Sequence, residues 1–182
     1  MTSLDLLVLL LLRGGTNTSY LLSRRAGISL GGSLPALKRL LRQGLIREGK
    51  PGRRGRREFS LTRAGESELA NIDHHLQAAL AEPASDLESL LRLAVCAVVI
   101  GRNELAVGLL RKGAADFQAR SEKGKDTIPE LKQETAPADF YVVITSYCQT
   151  ARLHADTSSL RFLASALGKR PAPTKARRSK RH

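Results

Sequence analysis

Residues 49–59, GKPGRRGRREF, constrain the fold of this chain more than any other stretch, because three glycines and a proline interrupt a pattern that is otherwise helical. The segment GLIRE comes before this loop, and REFSL overlaps its end. In REFSL, Phe59 and Leu61 alternate with polar neighbours at the period of a half-buried strand. The pattern predicts a β-hairpin with the loop at its tip.

The predicted tip is strongly basic. Its positive side chains are Lys50, Arg53, Arg54, Arg56 and Arg57. Such a group of like charges repels itself unless an anion is close. A solvated surface turn is the simpler interpretation of an isolated basic run, but the flanking strands favour a projecting loop that binds a polyanion.

Helix start and stop signals predict three helices before the hairpin and one after it. Hydroxyl residues provide the N-caps, and glycines follow the first and third helices. The predicted limits are Thr2 or Ser3 to Arg13, Thr18 or Ser19 to Arg24 or Arg25, Ser33 to Gly44, and Thr62 to about Ala81. Pro35 falls in the first turn of the third helix, where a missing amide hydrogen costs nothing.

Three helices followed by a basic two-stranded wing is the element order of a winged helix-turn-helix. Residues 28–46, ISLGGSLPALKRLLRQGLI, resemble the recognition-helix segment of PadR-type transcriptional regulators through the spacing P-A-L-x-x-L-x-x-x-G-L-I. Residues 59–65, FSLTRAG, resemble the strand-to-helix junction after the wing in PadR and MarR proteins. The resemblance covers about residues 4–70. It implies a DNA-binding head and a homodimer formed through a C-terminal helical region.

The third helix is predicted to enter the DNA major groove with the face opposite its core leucines, which we take to be Leu34, Leu37 and Leu41. That face holds Pro35 and two sets of candidates: Ser33, Ala36 and Arg39 for base contact, and Lys38 and Arg42 for phosphate contact. The alternative for Lys38 and Arg42 is that they are ordinary solvent-exposed helix residues that contact no phosphate. In the wing, the Arg-Gly-Arg sequence at 54–56 suits a narrow, A·T-rich minor groove.

Charge is distributed unevenly along the chain. Residues 1–70 hold 13 Lys and Arg against 5 Asp and Glu, residues 71–168 hold 10 against 12, and residues 169–182 hold 7 against none. This pattern predicts a DNA-binding domain at 1–82, a helical region at 83–168 and a disordered basic tail at 169–182. The expected fold is mainly α with a small β-hairpin wing, a winged helix-turn-helix head followed by an all-α region.

The helical region is predicted to contact another subunit. Residues 86–101, DLESLLRLAVCAVVIG, are too apolar for a helix with one side in water. Further helices are expected at 104–120, 138–154 and 158–168, with a polar linker at 121–137. We expect a homodimer or a higher homo-oligomer. An alternative use of this region is a small-molecule effector pocket, with aromatic candidates Phe117, Phe140, Tyr141 and Tyr147.

Several other functions are not expected. His74 and His75 are adjacent on a helix, about 100° apart, and therefore cannot hold one ion as an i, i+4 pair would. With no phosphate-binding glycine motif and no Cys-x-x-Cys pair in the sequence, we expect neither an enzyme nor a cofactor. The leucine run at 4–12 is too short to span a membrane.

Cellular location and function follow from the remaining features. Cys96 and Cys148 lie in apolar helical patterns and are expected to be buried free thiols in a reducing, cytoplasmic and nucleoid-associated setting. The sequence therefore predicts a protein that binds double-stranded DNA. The first interpretation is a sequence-specific transcriptional repressor. The alternative is an architectural or DNA-segregation protein that coats DNA and oligomerises through its helical region.

Overall fold

The computed structural model describes residues 1–49, 57–126 and 137–169. Over these ranges the chain is mainly helical and contains a single antiparallel pair of short strands. In chain order the elements are α1 (Ser3–Arg13), α2 (Ser19–Ala26), α3 (Leu30–Arg42), β1 (Ile46–Glu48), β2 (Phe59–Leu61), α4 (Arg63–Ala70), α5 (Ile72–Ala81), α6 (Leu87–Val99), α7 (Asn103–Asp126) and α8 (Pro137–Gly168).

Helix α1 has the limits that the sequence predicts, and α2 begins as predicted but ends at Ala26, one residue beyond the predicted end. Thr2 caps α1 in a reciprocal capping box, in which its hydroxyl accepts from the amide of Asp5 and the Asp5 carboxylate accepts from the amide of Thr2. Thr18 caps α2 by accepting from the amide of Leu21 at 3.1 Å. The chain leaves α2 at Gly27, whose φ of 64° is the left-handed conformation that favours glycine.

The third helix begins four residues earlier than predicted. Ser29, not Ser33, is its N-cap, and the Ser29 hydroxyl accepts from the amide of Gly32 at 3.2 Å. Pro35 therefore lies inside α3 rather than in its first turn, and the Gly31 carbonyl loses its helical partner. Water can satisfy that carbonyl because this side of α3 is exposed. The predicted end of the helix is confirmed, with Gly44 at a φ of 68°.

The predicted hairpin is confirmed in its two strands. Strand β1 pairs with β2 so that Ile46 lies opposite Leu61 and Glu48 lies opposite Phe59. The amide of Gly49 donates to the carbonyl of Glu58 at 2.7 Å and continues the pairing toward the tip. Residues 50–56, which hold four of the five predicted basic side chains, lie outside the described residues.

The centre of the core is α1. Six of its apolar residues are buried, namely Leu6, Leu7, Val8, Leu9, Leu10 and Leu12, as expected of a helix surrounded on most sides. It packs against α3, α4 and β2 on the head side and against α6 on the other. The N-terminal and C-terminal helices therefore share one hydrophobic core.

The C-terminal helices differ in length from the sequence prediction. A break at Asn71 divides the single helix expected after the hairpin into α4 and α5. Helix α7 continues to Asp126, so the first part of the predicted linker is helical, and the rest, 127–136, lies outside the described residues. The two helices predicted within 138–168 are one helix of 32 residues, α8. Helices α7 and α8 pack against each other.

The apolar helix α6 is covered largely within its own chain. Its residues Leu90, Ala94, Cys96 and Ala97 are buried, and it packs against α1 and α7. Much of the surface that was expected to need a second subunit is thus already buried, although Val95 and Val99 remain exposed. Both cysteines are free; Cys96 is buried as predicted, whereas the prediction for Cys148 is wrong because it is exposed.

In the part of the chain that the structure describes, every helix is too short or too polar to cross a membrane.

Candidate nucleic-acid interface

Helix α3 has one buried and one exposed face. The buried face consists of Ser33, Ala36, Leu37 and Leu40, which follow one another at the spacing of a helical stripe. The exposed face consists of Leu30, Gly31, Leu34, Pro35, Lys38 and Arg42. Along this face Leu34, Lys38 and Arg42 stand four residues apart and form one row on the helix surface.

The face predicted from the sequence is wrong for two candidate base contacts. Ser33 and Ala36 are both 0% exposed, so neither side chain can reach DNA without unfolding the helix. Leu34, which was assigned to the core, is 46% exposed. The physical reason is that Ser33 and Ala36 lie on the stripe of α3 that packs into the core with Leu37 and Leu40, whereas Leu34 lies on the exposed face.

Arg39, the third candidate base contact, is engaged in an ion pair inside the head. Its Nη2 donates to Oδ1 of Asp5 at 2.7 Å, and its Nε lies 3.4 Å from Oδ2. The Asp5 side chain is only 2% exposed. This two-point geometry fixes the guanidinium against α1. The prediction that Arg39 reads a base is therefore wrong for this conformation, and its role is to hold α3 on α1.

The carboxylate of Asp5 is kept charged by its partners. Burial raises the pKa of Asp5, but hydrogen bonds from Arg39 and from both the amide and the hydroxyl of Thr2 outweigh the burial. The pKa of Asp5 consequently lies below its ordinary value of 3.8. The pair raises the pKa of Arg39 through the same hydrogen bond. A charged Asp5 thus anchors α3 at neutral pH.

The two predicted phosphate contacts lie where the sequence places them. Lys38 and Arg42 are exposed on α3, and neither forms an ion pair with a carboxylate of residues 1–49, 57–126 or 137–169. Pro35 shares their face. From Leu6 to Arg47 the sequence contains seven Lys and Arg and no acidic residue. The exposed face of α3 is therefore positively charged without nearby compensation from its own or the preceding helix.

Helix α2 adds a further cation that sequence reasoning missed. Arg24 is exposed, and its guanidinium lies 5.9 Å from the ring centroid of Tyr20, one turn earlier. The spacing of an aromatic and an arginine at i, i+4 on a helix without acids was the signal that could have indicated it. Its neighbour Arg25 instead lines a groove between α1 and α6 together with Glu88.

At the base of the wing, each described charge has a partner. Arg57 lies 2.9 Å from Glu48 across the hairpin, and its side chain is 67% exposed. The Asn17 amide donates to Glu58 at 3.2 Å, while the Phe59 amide donates to the Asn17 carbonyl at 2.8 Å. These bonds fix the strands against the turn before α2. The predicted contacts Lys50, Arg53, Arg54 and Arg56 lie outside the described residues.

Residues 62–65, with the sequence TRAG, follow β2 and hold the end of α3 against the start of α4. The Thr62 hydroxyl donates toward the carbonyl oxygens of Gly44 at 2.6 Å and Leu45 at 3.1 Å, and it accepts from the amide of Gly65 at 3.2 Å. A methyl group at Gly65 would lie 2.1 Å from the Leu45 carbonyl oxygen, so the contact requires glycine. This junction fixes the orientation of the exposed face of α3 relative to the wing.

A second candidate site lies between α6, α7 and α8. It is a cavity of about 710 Å³ whose lining includes Leu91, Phe117, Arg120 and Arg152. Phe117 is 1% exposed, and the Arg120 guanidinium covers its ring at 4.4 Å while donating to the Ala84 carbonyl. The ring is therefore packed rather than open to a ligand. The side chains of the other aromatic candidates, Phe140, Tyr141 and Tyr147, lie outside the described residues.

The histidines form no metal-binding group in the described ranges. His75 Nε2 lies 2.8 Å from Glu68, whereas His74 points to solvent. No cluster of three or more His, Cys, Asp or Glu side chains that could hold a metal ion occurs among the residues that the structure describes.

Comparisons with protein-family models, with curated proteins and with solved structures return no match to this chain.

Proposed function

We propose that residues 1–82 form a winged helix-turn-helix head that binds double-stranded DNA, with α3 in the major groove and the basic wing in the minor groove. The observation that carries the proposal is the exposed row on α3, in which Lys38 and Arg42 pair with no carboxylate of the described chain. A helix is the element that fits the major groove, and phosphates on both sides of the groove are the natural partners of such cations.

The surroundings of this row support a polyanionic partner. Six of the seven carboxylates of residues 1–82 have a side-chain partner: Asp5 with Arg39, Glu48 with Arg57, Glu58 with Asn17, Glu66 with Arg13, Glu68 with His75 and Asp73 with Arg102. The seventh, Glu82, is exposed at the end of α5 and has no side-chain partner in the described part of the chain. Six described cations of this region have no carboxylate partner, and four of them lie on α2 and α3: Arg24, Arg25, Lys38 and Arg42. The other two are Arg47 on β1, which donates to the Ser60 hydroxyl, and Arg63 on α4. Unpaired acidic side chains near the row would repel phosphate. Because most of the acids are paired with other side chains, the cations of α2 and α3 suit a partner of high negative charge density, and DNA has a higher charge density than an acidic peptide.

The proposed mode of action is that of a transcriptional repressor that occupies its site as a homodimer. A two-fold dimer would present two copies of α3 to one face of the duplex, one helical turn apart. Val95 and Val99, four residues apart and exposed on α6, provide a small apolar face for such a contact. More of the apolar surface of α6 is buried within its own chain than is exposed, so the proposed dimer contact is small in area.

The proposal is tested by comparing two double variants of the full chain. Lys38→Ala with Arg42→Ala removes the row on α3, and Arg111→Ala with Arg152→Ala removes the same charge from exposed positions of α7 and α8. We expect the first variant to lose at least tenfold in affinity for a random duplex at moderate salt. The second should lose less than threefold. Equal losses would mean that net charge alone, and not α3, binds the DNA.

Footprinting on genomic fragments separates the two modes of action. A repressor protects discrete sites whose length stays constant as protein is added. An architectural or segregation protein that coats DNA gives protection that spreads with concentration. Spreading protection would replace the repressor assignment while leaving the DNA-binding face unchanged.

A further inference from the structure

We infer that α3 reads the methyl groups of thymines in the major groove through Leu30 and Leu34. This inference rests on the proposed DNA-binding function and names the base that the site recognises. Leu30 is 55% exposed and Leu34 is 46% exposed. About half of each leucine is thus open to solvent in the described part of the chain, although large apolar side chains are ordinarily buried when a helix packs.

The two leucines stand on the exposed face of α3, which is also the face that carries the cations. Leu34, Lys38 and Arg42 follow each other at four-residue intervals, and Leu30 begins the same row. The helix thus presents apolar side chains at its N-terminal end and cations at its C-terminal end. A recognition helix places its N-terminal residues against the base edges, so the leucines occupy the reading positions and the cations the phosphate positions.

The chemistry of the reading positions leaves one kind of base contact. The exposed residues of the first two turns, Leu30, Gly31, Leu34 and Pro35, have no side-chain donor or acceptor. The hydroxyl of Ser29 is used to cap the helix. Bidentate recognition of guanine or adenine is therefore absent from these positions. The only apolar group that a base offers in the major groove is the C5 methyl of thymine.

Charge around the leucines selects DNA over an apolar protein partner. No acidic residue occurs between Asp5 and Glu48, and Lys38 follows Leu34 by one turn. A protein groove that accepted two leucines would gain nothing from an uncompensated row of cations beside them. The major groove of DNA offers thymine methyl groups to the leucines and phosphates to the cations, so it complements both parts of the exposed face of α3.

The spacing of the leucines sets the expected pattern of thymines. Four residues of α-helix rise about 6 Å, and successive base pairs are about 3.4 Å apart. Leu30 and Leu34 therefore span about two base-pair steps. The inferred preference is for two thymines within three consecutive base pairs, and hence for A·T-rich sites.

The test compares two synthetic duplexes that differ only in the methyl group, alternating poly(dA–dT) and alternating poly(dA–dU). Full-length protein is titrated against each by fluorescence anisotropy at one fixed salt concentration. Burial of a methyl group is worth about a fourfold change in affinity. We expect the protein to bind poly(dA–dT) about 4- to 16-fold more tightly than poly(dA–dU), for one or two methyl contacts.

A double variant, Leu30→Ala with Leu34→Ala, makes the test specific to these side chains. Both residues are exposed, so the variant should fold, and its thermal unfolding checks this. Its affinity ratio for the two duplexes should fall to near one, whatever its absolute affinity, because the methyl group then has no apolar side chain to contact. This second readout removes any effect of uracil on DNA shape, because a shape effect would persist in the variant.

Two results would overturn the inference, and they are distinguishable. Equal affinity of the unaltered protein for both duplexes, or a ratio that the double variant leaves unchanged, would contradict thymine reading alone. In that case Leu30 and Leu34 would be free to serve a protein contact. Failure to bind either duplex at low salt would contradict the proposed DNA-binding function together with the inference.

Discussion

Arg39 of α3 lies against Asp5 of α1, with its Nη2 2.7 Å from the Asp5 Oδ1. Asp5 is buried and also closes the capping box at the start of α1. One carboxylate therefore fixes the N-terminus of α1 and the middle of α3 together. Arg39, which the sequence indicates as a DNA contact, therefore has a structural role.

Arg39→Ala is expected to lower the free energy of unfolding by about 1.5 to 3 kcal/mol, because the buried Asp5 loses a charged hydrogen-bond partner. Urea unfolding measures this change. The matched control is Arg42→Ala on the exposed face of the same helix, which should change stability by less than about 0.5 kcal/mol. A larger loss from Arg42→Ala than from Arg39→Ala would contradict the assignment of the two faces.

The same pair makes stability depend on pH in one direction. The pKa of Asp5 in the folded protein lies below 3.8, so its contribution is fully present above its unfolded pKa and is lost as pH falls through the folded pKa. The stability difference between the unaltered protein and an Asp5→Asn variant should be constant from about pH 7 to about pH 5 and shrink below about pH 4. A difference that grows toward acid would show the opposite shift.

The junction between β2 and α4 should tolerate no side chain at Gly65. Gly65→Ala places a methyl group 2.1 Å from the Leu45 carbonyl oxygen, and the backbone must move, at a cost of about 1 to 3 kcal/mol. Gly108→Ala in α7 is the control, since a methyl group there meets only Leu80 at 3.8 Å. That change should stabilise the helix by about 0.5 to 1 kcal/mol. Thermal unfolding of both variants measures the contrast, and a neutral Gly65→Ala would contradict the close approach.

The sequence was sufficient for the order of elements from α1 to the start of α4, because caps and breakers act locally, but it did not indicate the break at Asn71 between α4 and α5. Thr2, Thr18 and Thr62 cap helices as predicted, and Gly44 ends α3 with a positive φ. The hairpin followed from alternation around a glycine-rich loop. These signals depend on neighbours within four residues, so no tertiary information was needed.

The exposed face of α3 could not be predicted because it depends on which helix packs against it. A leucine count favours Leu34 as core, whereas the stripe of α3 that packs into the core holds Ser33 and Ala36 instead. The partner of Arg39 lies 34 residues away in the sequence. Long-range contacts of this kind also explain why the apolar α6 needed no second subunit to bury Leu90 and Ala94.

The two cysteines should differ sharply in reactivity. Burial raises the pKa of Cys96 to about 12, which leaves almost no thiolate at neutral pH, whereas Cys148 is exposed. A thiol reagent at pH 8 should therefore label one cysteine rapidly in the native protein and the second only after unfolding. A Cys148→Ser variant should lose the rapid phase. Rapid labelling that persists in this variant would contradict the burial of Cys96 in α6.

Binding to DNA should be controlled by phosphate neutralisation. Six to ten contacts from the wing, α3 and the basic C-terminal segment would give a slope of roughly −5 to −9 for log affinity against log salt concentration. Combining Lys38→Ala with Arg42→Ala should reduce the magnitude of that slope by about two, one for each lost phosphate contact. A slope unchanged by the double variant would move the phosphate contacts away from α3.

The most direct measurement of the central claim is the salt dependence of full-length protein binding to a random 30-base-pair duplex between about 50 and 200 mM salt. The account predicts that affinity falls by about 10³- to 10⁵-fold over this range, following a straight line on logarithmic axes. A slope near zero, or no binding at the lowest salt concentration, would contradict the assignment of the head as a DNA-binding domain.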